Sequence, residues 1–493
     1  MTLALLFLPW LAGALAFVLR GPAARRALLL GTALGHLALT GAAWVRPPSV
    51  DPKAWFAPDA PGLLFLTIVS VLFLATAIYG LGYLAREAGA AHRDFEEGFL
   101  FSNEPEGVFV GCLLCFLGAM TWVTLSRHLG VLWVAIEATT LASAPLIYFH
   151  RHHRSLEATW KYLLVCSVGI ALALLGNFFL GVAGAKAGAN GQPVSLLLDD
   201  LLTAAPNLQV PWLKAGFILL LVGYGTKMGL APMHTWLPDA HSESPSMVSA
   251  LLSGAVLNCA FLGILRTYQV CLAAGQAAFA RDLLIALGLL SMGVAAVFIV
   301  GQADYKRLLA YSSVEHMGIL ALGIGLGGVG VFGSAWHALN HSLVKAALFL
   351  LAGNILTVYQ TKSISEVTGV NRTLPWTGAM WVAGFLAITG SPPFGPFFSE
   401  LLILKAAFDA HRGWIGGLYL LMLALVFVGM AMAILRMSQG QPPARVQGKR
   451  IPHGGLAQAP SAVLLTGALC LGLHLPGALR GLLDQVAQLL GGA

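Results

Sequence analysis

Apolar runs long enough to cross a bilayer recur along almost the whole chain, and this pattern most constrains what it can become. A helix needs about 20 predominantly apolar residues to span the hydrocarbon layer. Such runs begin near Leu3, Ala27, Leu63, Val108, Leu129, Tyr162, Leu213, Met247, Leu283, Leu308, Val331, Trp376, Trp414 and Ala457. The expected fold is therefore an all-α polytopic membrane protein with about fourteen transmembrane helices. Of the 493 residues, 58% are hydrophobic and 10% are charged, whereas a soluble domain carries about 25% charged residues. A water-soluble globular fold, a disordered chain, a nucleic-acid module and a disulfide scaffold are excluded together. The six cysteines (Cys112, Cys115, Cys166, Cys259, Cys271, Cys470) lie in or beside apolar runs and read as buried thiols.

An even number of spans puts both termini on one side of the membrane. The first run has its positive charges, Arg20, Arg25 and Arg26, after the apolar stretch. That favours a retained helix with its amino end outside over a cleaved signal peptide. Counted from that start, about sixteen basic residues fall in inside loops and about nine in outside loops such as those holding Arg46, Arg127 and Arg266. The formal net charge of +7 is then mostly topology. Lys227, Lys345 and Lys405 belong to no loop.

An ionisable group inside a spanning helix costs about 2.5 to 3.5 kcal/mol on insertion scales and points to function by default. Glu137 sits mid-helix in LGVLWVAIEATTLASAPLIYF, and Lys227 lies in FILLLVGYGTKMGLAPMHTWLP. In AWHALNHSLVKAALFLL, His337, His341 and Lys345 are spaced four and four, which stacks them on one helical face about 6 Å apart per step. Glu400 and Lys405 follow in GSPPFGPFFSELLILK. Two histidines at this spacing can ligate zinc, but no carboxylate lies on the intervening turn and a lysine continues the face. No metal is expected there, and no cofactor. A row of titrating groups facing a wet interior suits proton transfer. Glu137 and Lys227 also admit a purely structural reading, as a fixed ion pair.

Glycine and proline cluster twice within apolar runs, from Gly223 to Pro232 and from Gly390 to Pro396, each time beside an ionisable residue. Interrupted segments in two halves of a chain are the pointer to an inverted-repeat transporter with midplane sites. The expected organisation is N-terminal helices over 1–107, a first five-helix repeat over 108–270, an inverted second repeat over 271–436, and a last helix with a short amphipathic end over 437–493.

The stretch GYGTKMGLAPMHTWLPDAHSESPSMVSALLSGAVLNCAFLGILR (Gly223 to Arg266) resembles the antiporter-like proton-channel subunits of respiratory complex I, Mrp antiporters and membrane-bound hydrogenases. DYKRLLAYSSVEHMG (Asp304 to Gly318), HSLVKAALFLLAG (His341 to Gly353) and GPFFSE ending at Glu400 extend it. HSESPSMVSALLSG and the short carboxyl end look most like the F component of hydrogenase-4 and formate hydrogenlyase-type complexes. The resemblance places proton-transfer roles on Glu137, Lys227, His337, His341, Lys345 and Glu400. Where many relatives carry a lysine or histidine on the eighth helix, this chain has Asn258, so the link between half-channels runs through water or through Glu315 and His316. His234, Asp239, His241 and Glu243 read either as a proton inlet or as a solvated helix cap, and Lys405 joins the candidate relay.

Cluster-binding cysteine pairs, a dinucleotide fingerprint and a P-loop are all missing from the sequence. The leading expectation is thus a proton-translocating subunit of a redox-driven multisubunit complex in a bacterial or archaeal inner membrane, without a redox centre of its own. A sodium or potassium/proton antiporter subunit and a non-conducting scaffold are the alternatives.

Overall fold

The computed structural model describes residues 1–46, 51–87, 92–93, 98–188, 191–449, 451 and 454–492. Arg450, which the sequence places among the basic residues expected in inside loops, lies outside this set. Helices account for nearly all regular structure. In chain order they are α1 (Thr2–Val18), α2 (Pro22–Val45), α3 (Ala60–Glu87), α4 (Glu106–Leu125), α5 (Leu129–Ile147), α6 (His153–Ala183) and the short α7 (Leu198–Ala204). There follow α8 (Val210–Met228), α9 (Trp236–Glu243), α10 (Ser246–Leu251), α11 (Leu257–Ala273), α12 (Ala277–Ile299), α13 (Tyr305–Leu326) and α14 (Val329–Tyr359). The chain closes with α15 (Val370–Thr373), α16 (Pro375–Ile388), α17 (Gly395–Asp409), α18 (Gly413–Ser438), α19 (Gly454–Leu473) and α20 (Gly477–Leu489). Two-residue strands, His92–Arg93 and Leu100–Phe101, pair antiparallel.

Among the described residues, 12 helical segments are long and apolar enough to cross a membrane, and Thr2–Val18 and Pro375–Ile388 are shorter apolar helices. Helix is found at every one of the starts expected from the sequence. The most apolar window of Ser246–Ala273 is 100% buried, against 33% for those of Pro22–Val45, Gly413–Ser438 and Gly454–Leu473. α10, α11, α13 and α14 therefore form the centre, and α2, α18 and α19 the periphery. This central group carries the polar side chains that lipid could not accommodate.

Both expected interruptions are present. α8 stops where Gly229 takes φ 82°, and the chain passes through a single turn at Met233–Thr235 before resuming as α9. α16 stops at Ile388, Gly390 takes φ 64°, and α17 begins at Gly395. Backbone groups freed at the first break find side-chain partners: the Ser291 hydroxyl accepts from the Ala231 N–H at 2.9 Å, and the Trp236 indole donates to the Thr226 carbonyl at 2.8 Å. A third irregularity, a π-helical turn at Leu252–Val256, falls in a run without proline and was not expected.

Small residues let paired helices approach closely. A Cβ on Gly223 of α8 would lie 2.5 Å from the Gly169 carbonyl of α6, and one on Gly288 of α12 would lie 2.8 Å from the Gly318 carbonyl of α13. Two expectations need correction. Cys166, Cys259 and Cys271 are buried, but Cys112 and Cys115 are half-buried and Cys470 is exposed, because α19 lies at the periphery. Arg266 is not a loop charge. It is buried in α11 and forms a two-fold pair with Asp59, one arm of which measures 2.6 Å.

Breaking a buried pair by removing one partner costs about 3 to 5 kcal/mol, since the other charge stays buried. Asp59→Ala is expected to lower the thermal unfolding temperature in detergent by several degrees. Combining it with Arg266→Met is expected to restore most of the loss.

Candidate functional site

Lys227 occupies the last turn of α8, just before the first break, and is fully buried. Its ammonium donates to Thr140 Oγ1 at 2.9 Å and to the Tyr162 hydroxyl at 2.5 Å, and it stands 4.5 Å from the Tyr162 ring centre. Glu137, half-buried on α5, accepts from Thr140 Oγ1 and from Ser167 Oγ, both at 3.2 Å. No Glu137–Lys227 ion pair forms among the described residues; the Thr140 hydroxyl stands between them, accepting from the amine and donating to the carboxylate. Tyr162 continues the string to Ser143 at 2.6 Å. The sequence reading missed Thr140, Tyr162 and Ser143. The available signal for Thr140 was its i+3 spacing from Glu137, which puts both on one face.

A second cluster gathers on α13, α14 and α17. His316 Nδ1 and His337 Nε2 are 2.9 Å apart, and His337 Nδ1 is 2.9 Å from Ser399 Oγ. The Ser399 hydroxyl also lies 2.9 Å from the Pro396 carbonyl; with its hydrogen directed there it accepts from His337 Nδ1–H, and with its hydrogen turned to His337 it donates to Nδ1. Glu400 is buried, with Oε1 unpartnered and its carboxylate pressed against Gly390. His341 is fully buried 5.1 Å from the His316 ring, and neither of its nitrogens has a hydrogen-bond partner. Asn340, against Gly395, has both amide atoms unpartnered. Lys345 donates to the Leu309 carbonyl at 2.6 Å, and buried Glu315 is the carboxylate that acts on it. His316 thus stands with the α14 ladder as the sequence reading allowed, whereas Asn340 and Ser399 were missed.

Between the clusters, buried Asn258 donates to the Gly254 carbonyl at 2.9 Å and to Ser342 Oγ at 2.6 Å, leaving Oδ1 without a partner. Ser253 and Ser313 join across the same space at 2.8 Å. The direct contacts form two clusters rather than one unbroken string.

The residues around α9 fall into two groups. Asp239 pairs with Lys161 of α6 at 3.0 Å and with Arg307 of α13, while Glu243 pairs with Lys362 at 2.7 Å. Lys306 donates to the carbonyls of Ser242 and Ser244 at 2.9 and 2.6 Å, closing the carboxyl end of α9. These acids pin the short helix. His241, by contrast, is fully buried with neither nitrogen partnered, and His234 is buried beside Tyr311. Lys405 is not brought into the interior: it is 57% exposed on α17 and pairs with Asp409 at 2.5 Å.

The sequence profile of the family described as "NADH:quinone oxidoreductase/Mrp antiporter, TM" matches residues 126–430. The hydrogenase-4 component F homolog of Methylacidiphilum infernorum (isolate V4) is 36% identical over 381 residues, 77% of this chain and 78% of that protein. Hydrogenase-4 component B of Escherichia coli (strain K12) is 28% identical over 391 residues, 76% of this chain but only 54% of the longer relative. In fold, the chain matches one from the membrane-bound sulfane sulfur reductase, an archaeal respiratory membrane complex. That match has a TM-score of 0.86 at 21% identity and covers 100% and 98% of the two chains.

Gly390 has φ 64°, and a Cβ there would run into the Glu400 carboxylate. Gly390→Ala is expected to cost about 1 to 3 kcal/mol, read as a fall in the thermal unfolding temperature. Gly413→Ala, where the nearest atom would be 3.7 Å away, should leave that temperature unchanged.

Proposed function

This chain belongs to the NADH:quinone oxidoreductase/Mrp antiporter membrane family, and we propose that it carries protons across the bilayer as the antiporter-like subunit of a redox-driven, hydrogenase-4-type complex. The observation that carries this reading is the string in which one hydroxyl, Thr140, accepts from buried Lys227 and donates to half-buried Glu137. A hydroxyl that accepts and donates at once can pass a proton between its neighbours. A simple ion pair would need no such intermediary.

In this reading the cluster of His316, His337, His341, Lys345 and Glu400 is the second half of the route. Glu315 and His316 bridge toward Lys227 past Asn258, with water in the gaps that unpartnered Asn258 Oδ1, Asn340 and His341 line. His234 and His241 lie at the inner approach, and Asp239 and Glu243 hold α9 in place beside it. The chain organisation is fourteen spans with both termini outside. Helices over 1–107 precede the two inverted repeats at 108–270 and 271–436, with 437–493 as the closing segment. The two interrupted helices support the repeat assignment. Neighbouring membrane and peripheral subunits in a bacterial or archaeal cytoplasmic membrane supply the driving energy, delivered as movement of the charges around Lys227. The Mrp-type alternative rests on the breadth of the family itself.

In vesicles containing the assembled complex, Lys227→Ala is expected to abolish coupled proton transfer while the subunits still copurify. Thr140→Val, which keeps the shape of the side chain and removes the hydroxyl, should slow transfer at least about tenfold, and Thr140→Ser should restore most of it. Full transfer in both Lys227→Ala and Thr140→Val would refute the route. Proton movement that requires sodium or potassium would select the antiporter reading instead.

A further inference from the structure

The second cluster brings three buried side chains of metal-ligand type, from three helices, to one point. With its proton on Nδ1, directed at Ser399, His337 presents an Nε2 lone pair to His316 Nδ1 at 2.9 Å. If His316 keeps its proton on Nδ1, its Nε2 is a buried acceptor without a donor. If the proton moves to Nε2, two lone pairs face each other across 2.9 Å. In both of these arrangements an acceptor is unsatisfied; in the remaining one, with Ser399 donating to His337 Nδ1 and His337 Nε2–H donating to His316, the His316 Nε2–H has no hydrogen-bond partner. Glu400 adds an acceptor, since its buried Oε1 also lacks a partner. Ligand atoms of His316, His337 and Glu400 all lie within 4.8 Å of one another.

Three ligand-type side chains converging from three helices suit a metal cation. Two imidazoles and a carboxylate are the ligand set of open three-ligand zinc sites. Tetrahedral ligands at about 2.0 to 2.1 Å from zinc are about 3.3 Å apart, so atoms that lie within 4.8 Å of one another close on an ion through changes of up to about 1.5 Å in their separations. The second shell is already in place. His337 Nδ1 lies 2.9 Å from Ser399 Oγ, and an N–H donated there fixes the ring and aims Nε2 inward, as supporting residues do for zinc-bound histidine. Lys345, which on sequence grounds argued against a metal on this helix, lies eight residues beyond His337, about 12 Å along the axis. Its ammonium is held by Leu309. The carboxylate missing from the ladder's intervening turn comes instead from α17.

We propose that His316, His337 and Glu400 form a buried binding site for a divalent metal of the zinc class, and that its occupancy blocks the proton route. In the bound state His316 carries its proton on Nε2 and His337 on Nδ1, so both facing nitrogens are ligands, and Glu400 binds as the carboxylate, releasing a proton if it held one. Occupancy replaces a proton-transferring pair with fixed coordinate bonds. The blocking effect rests on the function proposed above; the binding does not.

The test uses the full-length chain purified in detergent, stripped with a chelator and titrated with Zn2+ against a chromophoric competitor, with X-ray absorption of the bound metal. The expected result is one tight zinc per chain, with two imidazole nitrogens and carboxylate oxygen in its shell. His337→Asn and Glu400→Gln should each weaken it at least about 100-fold, and Ser399→Ala, which leaves all three ligands, by about 10-fold. Absence of a tight stoichiometric ion would overturn the site, as would affinity unchanged in all three variants, the mark of surface histidines. Variants are compared only where their unfolding temperature matches the parent, and Ser399→Ala serves if a ligand variant fails to fold. In vesicles, Zn2+ should stop proton transfer. Tight binding with the predicted shell in a protein that moves no protons would sustain the site and sink the transport reading.

Discussion

A charged amine in the interior of a membrane protein must find partners for its hydrogens where water is scarce, and the architecture around Lys227 follows from that requirement. Two hydroxyls and two aromatic faces surround the ammonium. They come from α5, α6 and α9, so three helices must converge on the end of α8. Small residues along α6 and α8 permit that approach, and the break after Gly229 frees α9 to fold Trp236 back over the amine. Each feature that weakens the helices as isolated elements serves to hold one charge.

The second half of the molecule deals with its polar groups differently. Instead of one amine held by two hydroxyls, it holds histidines, amides and a carboxylate whose partners are incomplete. Unsatisfied buried groups are costly, and their concentration on α13, α14 and α17 marks a region built for occupants that come and go. The contrast suits one end of a path that retains a charge and another that hands it on.

Much of this was legible beforehand because a membrane makes ionisable residues conspicuous. Glu137, Lys227, His337, His341, Lys345 and Glu400 stand out in apolar runs, and the structure buries all of them except half-buried Glu137. The two interrupted helices were visible as glycine and proline. Less visible were the residues that join these points. Thr140, Tyr162, Ser143 and Ser399 are ordinary components of membrane helices, distinguished only by which neighbour they face. Arg266 was misread because a charge near the end of a run looks the same whether it meets water or a buried Asp59. Lys405 was misread for the opposite reason, since sequence position says nothing about which way a helix is turned. The π-turn at Leu252–Val256 left no trace, because no glycine–proline cluster announces it.

Thr140 has one hydrogen, and that has a kinetic consequence. In the present arrangement the hydrogen points toward Glu137 and the lone pairs toward Lys227. When the proposed transfer takes place, the hydroxyl gives its hydrogen to the carboxylate and receives another from the amine, which leaves it facing backwards. It must then rotate about its Cβ–Oγ bond before it can repeat the step. Passage at this point is therefore a turnstile, admitting one proton for each rotation, with its resting position set by whichever neighbour carries charge.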